Sequence, residues 1–126
     1  MSSMEMMRRY IDHIKAGEFE AAAEYWSDDI VGHVSGNNVT SGTYTGKEGT
    51  IAYGAKVMGI LDSNQIEEHD LLVSDEHAVL IAESHGERNG SHFSSKTVVV
   101  YHIADEKITE FWVIPENQKA FDDFLS

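Results

Sequence analysis

Apolar residues recur every three or four positions near the start of the chain, which is the spacing of an amphipathic helix. The positions concerned are Met4, Met7, Ile11 and Ile14. Ser2 and Ser3 are candidate N-caps and Gly17 is a natural stop, so a first helix is predicted between them. A shorter repeat from Phe19 to Trp26 predicts a second helix, which ends before Ser27.

The next part of the chain predicts a strand, a loop and a third helix. The stretch from Ile30 to Ser35 is typical of a short strand, and Gly36 to Gly46 is typical of a loop. A third helix is predicted from about Lys47 to Leu61. Its apolar face would consist of Ile51, Ala55, Met58 and Leu61.

From Gln65 onward the pattern changes to alternating and β-branched residues, which predicts four strands. The predicted strands are Gln65 to Val73, His77 to Glu87, Ser91 to Ile103 and Lys107 to Ile114. Asn89-Gly90 is a strong hairpin signal, because both residues tolerate positive φ. Consecutive strands with short turns form an antiparallel meander, and Pro115 ends the last of them. Phe121, Phe124 and Leu125 predict a short closing helix.

This order of elements predicts an α+β fold in which helices cover one face of a curved sheet. At 126 residues, the chain is expected to form one domain, residues 1–126. A sheet curled around helices leaves a cavity, so we expect an internal pocket for a small apolar molecule.

Composition argues against several classes of function. The formal net charge of −13 repels phosphate backbones and anionic lipid surfaces, so no nucleic acid and no membrane is expected as a partner. The absence of cysteine removes thiol catalysis, disulfides and cysteine-based zinc sites. No apolar run has the length of a signal peptide or a membrane span, so a cytoplasmic location is expected.

Motifs of nucleotide and hydrolase chemistry do not fit the chain. The segment from Gly42 to Glu48 lacks the spacing of a P-loop or a dinucleotide fingerprint, and Ser35 stands one place too late for a nucleophile elbow. The seven histidines form neither a His-Glu-x-x-His nor a His-x-His motif, so no metal and no cofactor are expected. A site built by histidines from three predicted strands stays open as an alternative. Its members would be His69, His85 and His102.

Three segments resemble the SnoaL-like branch of the NTF2-like (ketosteroid isomerase) superfamily. Residues Met7 to Asp29 resemble the opening helices of bacterial ketosteroid isomerases, whereas Ser41 to Glu48 and Lys107 to Trp112 resemble SnoaL-like proteins. The resemblance covers nearly the whole chain and implies an NTF2-like cone, a curved and mainly antiparallel sheet wrapped around helices with an internal pocket. That superfamily contains isomerases, polyketide cyclases, dehydratases, epoxide hydrolases and non-catalytic members, so the reaction must be argued from the site.

The resemblance also suggests where the isomerase groups would stand. The helix-one tyrosine, which polarises a carbonyl in the isomerases, corresponds to Tyr10. The general-base aspartate corresponds to Val34, or to His33 if one residue is skipped, and a second aspartate falls near Val99. Two of the three isomerase groups are therefore missing.

His33 and Tyr10 are the catalytic candidates. An imidazole exchanges protons near neutral pH, so His33 is a candidate acid or base, and the alternative is a structural histidine that braces the following loop. Tyr10 is a candidate donor to a developing oxyanion, and the alternative is a core residue with a satisfied hydroxyl. The residues predicted to bind the substrate are Trp26, Tyr44, Tyr53, Met58, His69, Phe111 and Trp112.

Two functions from different classes follow. The first is a cofactor-independent enzyme that isomerises, cyclises or dehydrates a small apolar carbonyl compound by proton transfer. The second is a non-catalytic ligand-binding or dimeric interaction module with the same pocket. Phe111 and Trp112 point to opposite faces of the last strand, so one should line the pocket and the other should meet a neighbour, which predicts a homodimer. Epoxide hydrolysis is disfavoured, because no Asp-Arg-Asp set can be assembled.

Overall fold

The computed structural model describes residues 1–126 as four helices and six strands. The helices are α1 (Ser3–Lys15), α2 (Phe19–Ala23), α3 (Gly46–Ile60) and α4 (Gln118–Phe124). The strands are β1 (Trp26–Val34), β2 (Gly42–Thr45), β3 (Ser63–Val73), β4 (His77–Arg88), β5 (Ser91–Ala104) and β6 (Lys107–Pro115). The α+β class is confirmed, and the predicted order of elements holds except that β2 is added.

The strands form one sheet in the order β2-β1-β6-β5-β4-β3. Strands β3 to β6 make the predicted antiparallel meander, and β1 joins it by pairing in parallel with β6. The pairing register shifts in β3 between Glu68 and Asp70, and again between His102 and Ile103 in β5. Such irregularities bend a strand and increase its twist, which lets this sheet curve around the helices.

Residues with positive φ make the two hairpin turns at the end of the chain. Asn89 (φ 53°) and Gly90 (φ 82°) join β4 to β5, so the predicted Asn-Gly hairpin is confirmed. Asp105 (φ 52°) and Glu106 (φ 59°) join β5 to β6 in the same way. Two-residue turns of this kind match the right-handed twist of the strands. The β5–β6 turn sets the pairing as far as Ile103, and the irregularity beyond it shifts the register by one residue.

The sheet has an inner face, which the helices cover, and an outer face. Helix α1 packs near β3 and α3 packs on β1. Successive side chains of a strand point to opposite faces. Tyr101 and Phe111 are therefore buried on the inner face, whereas His102 and Trp112, the next residues along, lie on the outer face and keep part of their exposure.

Helix α1 supplies much of the core. The Ser2 hydroxyl accepts a hydrogen bond from the backbone N–H of Glu5 at 3.1 Å, which confirms a cap at the predicted position. The buried side chains of the helix are Met6, Met7, Tyr10 and Ile11. Met4 is 48% exposed, so its predicted place on the buried face is wrong, and Met6 is buried instead.

Three predicted boundaries or faces need correction. Trp26 begins β1 and does not end α2, because its buried indole is bound to Tyr10 across the core. Gly42 to Thr45 was predicted as loop and is the edge strand β2, which is held by pairing with β1. Helix α3 buries Thr50, whereas Met58 is 61% exposed, so the predicted apolar face is wrong. This helix is apolar on most sides, so contact with β1 and not periodicity selects the side that packs.

No helix of the chain combines the length and the apolar character that a bilayer span requires.

Candidate functional site

Three tyrosines from three different elements meet beneath the inner face of the sheet. Tyr10 comes from α1, Tyr53 from α3 and Tyr101 from β5. The rings of Tyr10 and Tyr101 meet edge to face with centroids 5.9 Å apart, and Tyr53 lies 6.4 Å from Phe111, which pairs with Tyr101 across the strands. We call Tyr10, Tyr53 and Tyr101 the tyrosine cluster.

Two hydroxyls of the tyrosine cluster have no protein partner. Trp26 Nε1 donates a hydrogen bond to the Tyr10 hydroxyl at 3.2 Å, whereas the Tyr53 and Tyr101 hydroxyls take part in no hydrogen bond within the chain. Yet no side-chain nitrogen or oxygen that is sealed from solvent lacks a partner. Both hydroxyls therefore touch a space that a water-sized group can enter, as expected for groups that line an internal pocket.

Burial keeps these phenols neutral. It raises the pKa of Tyr10 to about 12, an effect that the hydrogen bond from Trp26 partly offsets. Burial also raises the pKa of Tyr53 to about 12, with smaller contributions from Tyr44 and Tyr10. The pKa of Tyr101 is raised well above its ordinary value, first by burial and then by the two other members of the cluster. The cluster can therefore donate hydrogen bonds near neutral pH without becoming a base.

The surroundings of the cluster are apolar or already paired. Val34 and Val99, where the resemblance sets the isomerase carboxylates, lie on the inner face and cannot ionise. Glu68, which faces α1, accepts a hydrogen bond from Arg8 Nη1 at 2.7 Å. That bond, followed by Lys15, lowers the pKa of Glu68 to about 2. The interior thus offers hydrogen-bond donors and apolar walls. The carboxylate of Glu68 is already paired with Arg8.

His33 lies on the outer face, on the other side of the sheet from Tyr10. Its neighbours Gly32 and Val34 face inward, so the alternation of the strand turns His33 outward. Its Nε2 lies 2.6 Å from Glu110 Oε2, and its ring stacks on Trp112 with centroids 5.2 Å apart. The side chains of His33 and Glu110 are 34% and 32% exposed. The two catalytic candidates therefore do not meet in one site.

Glu110 also connects His33 to another imidazole. His102 Nδ1 lies 3.6 Å from the second carboxylate oxygen of Glu110, and the His102 ring meets Trp112 edge on, with centroids 4.8 Å apart. Trp112 was predicted as a pocket wall residue, so its position here is a correction. We call His33, His102, Glu110 and Trp112 the Glu110 group; it lies on the outer face and is separate from the tyrosine cluster.

The loop that follows β1 is braced by α4 and not by His33. Ser35 Oγ donates to Gln118 Oε1 at 2.6 Å, and Asn38 Nδ2 donates to Asp122 Oδ1 at 2.8 Å. The hydrogen bond from Asn38 is the main cause that lowers the pKa of Asp122. Gly36 has a φ of 91°, and a Cβ there would lie 2.0 Å from Gln118 Nε2, so this contact requires glycine.

The other predicted binding residues divide into two groups. Tyr53 belongs to the tyrosine cluster, and Trp26 and Phe111 adjoin it. The ring of Tyr44 is tilted by 45° against that of Tyr53, with centroids 5.0 Å apart, and the Tyr44 hydroxyl donates to the Thr40 carbonyl at 2.6 Å. Met58 and His69 are exposed. They are therefore not walls of the interior: Met58 is on the solvent side of α3, and His69 lies at the irregularity in β3.

The three histidines considered for a metal site are dispersed. His69 is exposed, His85 contacts Glu67 and Ser94, and His102 adjoins Glu110. No three or more histidine, aspartate or glutamate side chains converge as the joint ligands of one metal ion.

Sequence reasoning missed Tyr101 and Glu110. Both lie in strands that were predicted with nearly correct bounds, yet the face to which each residue points was not assigned. The β5–β6 turn alone would place Tyr101 opposite Glu110, because it pairs Ala104 with Lys107. The irregularity between His102 and Ile103 shifts the pairing by one residue and brings Tyr101 opposite Phe111, and no local pattern predicts that shift.

The sequence pattern of the SnoaL-like domain family matches residues 7–111 of the chain. A protein of unknown function with a cystatin-like fold from Xanthomonas campestris has a similar structure, with a TM-score of 0.92 and 25% identity over 100% of this chain and 99% of that one. An NTF2-like protein of unknown function from Burkholderia pseudomallei reaches a TM-score of 0.89 at 15% identity, over 100% and 99% of the two chains. TerC, co-crystallised with polyporic acid, reaches 0.86 at 15% identity, over 98% and 97%. Among curated proteins, none matches the sequence at a significant level.

Proposed function

Because the chain belongs to the SnoaL-like domain family of the NTF2-like superfamily, we propose that its interior binds a small, largely apolar molecule with a carbonyl or similar acceptor oxygen. The observation that carries this proposal is the pair of unpartnered phenol donors, Tyr53 and Tyr101, in an interior that is mainly apolar. The co-crystallisation of TerC with polyporic acid supports a small-molecule ligand for a protein of this fold.

The chemistry of the interior selects the class of ligand. Tyr53 and Tyr101 offer O–H groups that a carbonyl oxygen would satisfy, and a hydrogen bond of this kind contributes on the order of 1 kcal/mol. The body of the ligand would pack against Phe111, Val99 and Val113, which adjoin the same core. Each apolar Å² that is removed from water there adds roughly 25 cal/mol.

Proton-transfer catalysis is the second candidate, and the hydrogen bond of 2.6 Å between His33 and Glu110 favours it. A carboxylate that accepts from Nε2–H leaves Nδ1 of the same ring free to act as a base. The reaction would be an isomerisation, an aldol cyclisation or a dehydration, with Tyr10 as the proposed oxyanion donor. Because His33 faces away from the tyrosine cluster, this chemistry needs a substrate that reaches the outer face. Binding in the interior is therefore the better-supported function.

Replacing a cluster tyrosine by phenylalanine should weaken ligand binding while preserving the fold. Small carbonyl compounds would be screened by thermal shift, and the affinity of each hit would be measured by calorimetry. We expect Tyr101→Phe and Tyr53→Phe each to weaken binding roughly two- to tenfold, because each removes one buried donor. Tyr25→Phe is the matched control, since Tyr25 contacts Tyr10 only through its ring. Unchanged affinity in both cluster variants would contradict the proposed site.

The same hits distinguish binding from catalysis. Each hit would be incubated with the wild type and with His33→Gln, and product formation would be followed by NMR. Turnover that disappears in His33→Gln supports the proton-transfer candidate, whereas equal turnover in both proteins excludes a role for His33. Tight binding without turnover in the wild type supports binding, and not catalysis, as the function of the interior.

We further propose that two copies associate through the outer face of the sheet. The apolar residues in the middle of this face are Val79, Ile81, Val98, Val100 and Trp112. They lie on three neighbouring strands, β4, β5 and β6, and so form one continuous patch. Each partner contributes roughly 800 Å² to a stable interface, so residues around this patch would also take part. A self-complementary apolar centre is the property that an isologous dimer requires.

A charge in the middle of the outer face should separate the proposed dimer. Val100→Glu would bury a carboxylate without a partner, so it is expected to elute with the mass of a single 14.1 kDa chain in size-exclusion chromatography with light scattering. The wild type should show twice that mass at the same concentration. Val39→Glu is the matched control, because Val39 is an exposed valine in the loop after β1. A wild type that is monomeric at tens of micromolar would contradict the dimer.

A further inference from the structure

The tip of the β4–β5 hairpin carries two histidines that point at one shared hydroxyl. His85 Nδ1 and His92 Nε2 each lie 2.9 Å from Ser94 Oγ. On its other side, His85 Nε2 lies 3.2 Å from Glu67 Oε2. The two imidazole rings are stacked, with centroids 5.9 Å apart. We call His85, His92, Ser94 and Glu67 the hairpin cluster.

The sheet register builds this cluster from three strands. His85 on β4 lies directly opposite Ser94 on β5 and opposite Gln65 on β3. An open depression of about 450 Å³ lies beside it. Its lining consists of Gln65, Ile66, Glu67, His85 and His92. His77 lies opposite His102, a member of the Glu110 group, and His85 lies eight residues farther along β4, so the hairpin cluster stands apart from that group. The function proposed for the interior does not use it.

The hydrogen bonds of the cluster orient one imidazole for coordination. If Glu67 accepts from Nε2–H of His85, the lone pair of His85 is on Nδ1 and points to the Ser94 oxygen. His92 Nε2 points to that same oxygen from the other ring. A carboxylate that holds the distal nitrogen of a histidine is the common outer-shell support of metal-binding imidazoles. The Ser94 hydroxyl has one hydrogen, so it donates to His85 Nδ1 and accepts a hydrogen bond from Nε2–H of His92. A cation that takes the place of the His92 hydrogen meets one nitrogen from each ring, which is the start of a coordination sphere.

We propose that the hairpin cluster binds one divalent cation of the class that prefers imidazole, such as Zn²⁺, Ni²⁺ or Cu²⁺. His85 Nδ1 and His92 Nε2 would be the protein nitrogen ligands, and Ser94 Oγ and water would complete the coordination. Glu67 would act as a positioning residue through His85. A hard cation such as Ca²⁺ or Mg²⁺ is disfavoured, because those ions need several oxygen ligands and the cluster holds one carboxylate. The chain's net charge of −13 attracts any cation to the surface.

The proposal is tested by titrating the wild-type protein with ZnCl₂ and, separately, NiCl₂ at pH 7.5 in an isothermal calorimeter. We expect one saturable site per chain, a loss of affinity of at least tenfold in His85→Gln and in His92→Gln, and a loss on the order of tenfold in Glu67→Gln. His69→Gln is the matched control, since His69 is an exposed histidine on β3 outside the cluster. Circular dichroism would verify that each variant is folded.

Two further readouts separate this site from unspecific cation binding. Affinity should fall when the pH is lowered from 7.5 to 5.5, because a protonated imidazole cannot bind a cation. The electron paramagnetic resonance spectrum of bound Cu²⁺ should show coupling to two nitrogens in the wild type and to one in His92→Gln. The proposal is overturned if the wild type shows no saturable site, or if the double variant His85→Gln/His92→Gln binds as tightly as the wild type. Neither result would bear on ligand binding in the interior.

Discussion

Gly32→Ala is expected to lower the free energy of unfolding by roughly 1 to 3 kcal/mol, because it adds a methyl group to a site that is already filled. A Cβ at Gly32 would lie 2.2 Å from the ring of Phe111, well inside the contact distance of two carbon atoms. The ring has little room to retreat, since Phe111 is buried and packs near Tyr53 and opposite Tyr101. The same substitution should therefore also displace the tyrosine cluster and weaken ligand binding.

Urea unfolding followed by circular dichroism measures this effect. Gly54→Ala is the matched control: it makes the same chemical change within α3, where a Cβ would meet no atom within 4 Å. Removing a glycine from a helix at such a position is expected to stabilise the protein by about 0.5 to 1 kcal/mol. The two variants should therefore change stability in opposite directions. Equal stability of Gly32→Ala and wild type would mean that Phe111 does not pack against β1 as described.

Glu68→Gln is expected to remove a pH-dependent part of the stability, because Glu68 holds α1 against β3. The ion pair with Arg8 lowers the pKa of Glu68 from 4.5 to about 2. A carboxyl group whose pKa is lower in the folded protein stabilises the fold above its unfolded pKa, and that contribution is lost as the pH falls from about 4.5 to about 2. We expect about 1 to 2 kcal/mol near neutral pH, reduced by solvent screening because the Arg8 side chain is 38% exposed.

Urea unfolding at pH 7 and at pH 2.5 tests this linkage. Wild type and Glu68→Gln should differ at pH 7 and approach one another at pH 2.5, because the unfolded carboxyl group is already protonated there and the folded one is close to its pKa of about 2. Glu20→Gln is the control, since Glu20 is exposed on α2 and forms no ion pair. Parallel stability curves for Glu68→Gln and wild type over the whole pH range would show that the Arg8–Glu68 pair does not contribute.

The two sides of the sheet suggest a division of roles. The inner face offers neutral phenol donors and apolar walls, whereas the titratable imidazoles of His33 and His102 lie on the outer face around Glu110. A protein that keeps donors and bases on opposite sides of a sheet is better suited to hold a carbonyl compound than to move its protons. If the proposed dimer forms, Trp112 lies in the interface and brings His33, His102 and Glu110 to its edge.

Much of the fold was predictable from the sequence because its signals are local. The periodicity of α1, the four strands from β3 to β6 and the turn at Asn89-Gly90 depend on residues within a few positions of each other. Trp26 was assigned to the wrong element for the same reason. Its helical spacing from Phe19 is a local pattern, whereas its hydrogen bond to Tyr10 depends on how α1 packs on the sheet.

The site was less predictable from the sequence, because it depends on which face of the sheet each strand residue points to. A shift of one residue moves a strand's side chain from the core to the outside. The resemblance set the base position at Val34, or at His33 if one residue is skipped. Their places were decided by Gly32, over which the Phe111 ring lies. Met58 failed as a wall residue on similar grounds, because an apolar helix does not indicate which of its sides will pack.

The sequence by itself determined the α+β class, the meander with its tight turns and the tyrosine on α1, since each follows from local spacing and composition. Only the tertiary structure decided that β1 pairs in parallel with β6, that His33 faces Glu110 on the outside, and that Tyr53 and Tyr101 join Tyr10 within. The physical reason is that a strand's partner and its facing side are set by contacts between residues far apart in the chain. Those contacts depend on how the whole sheet curves over its helices.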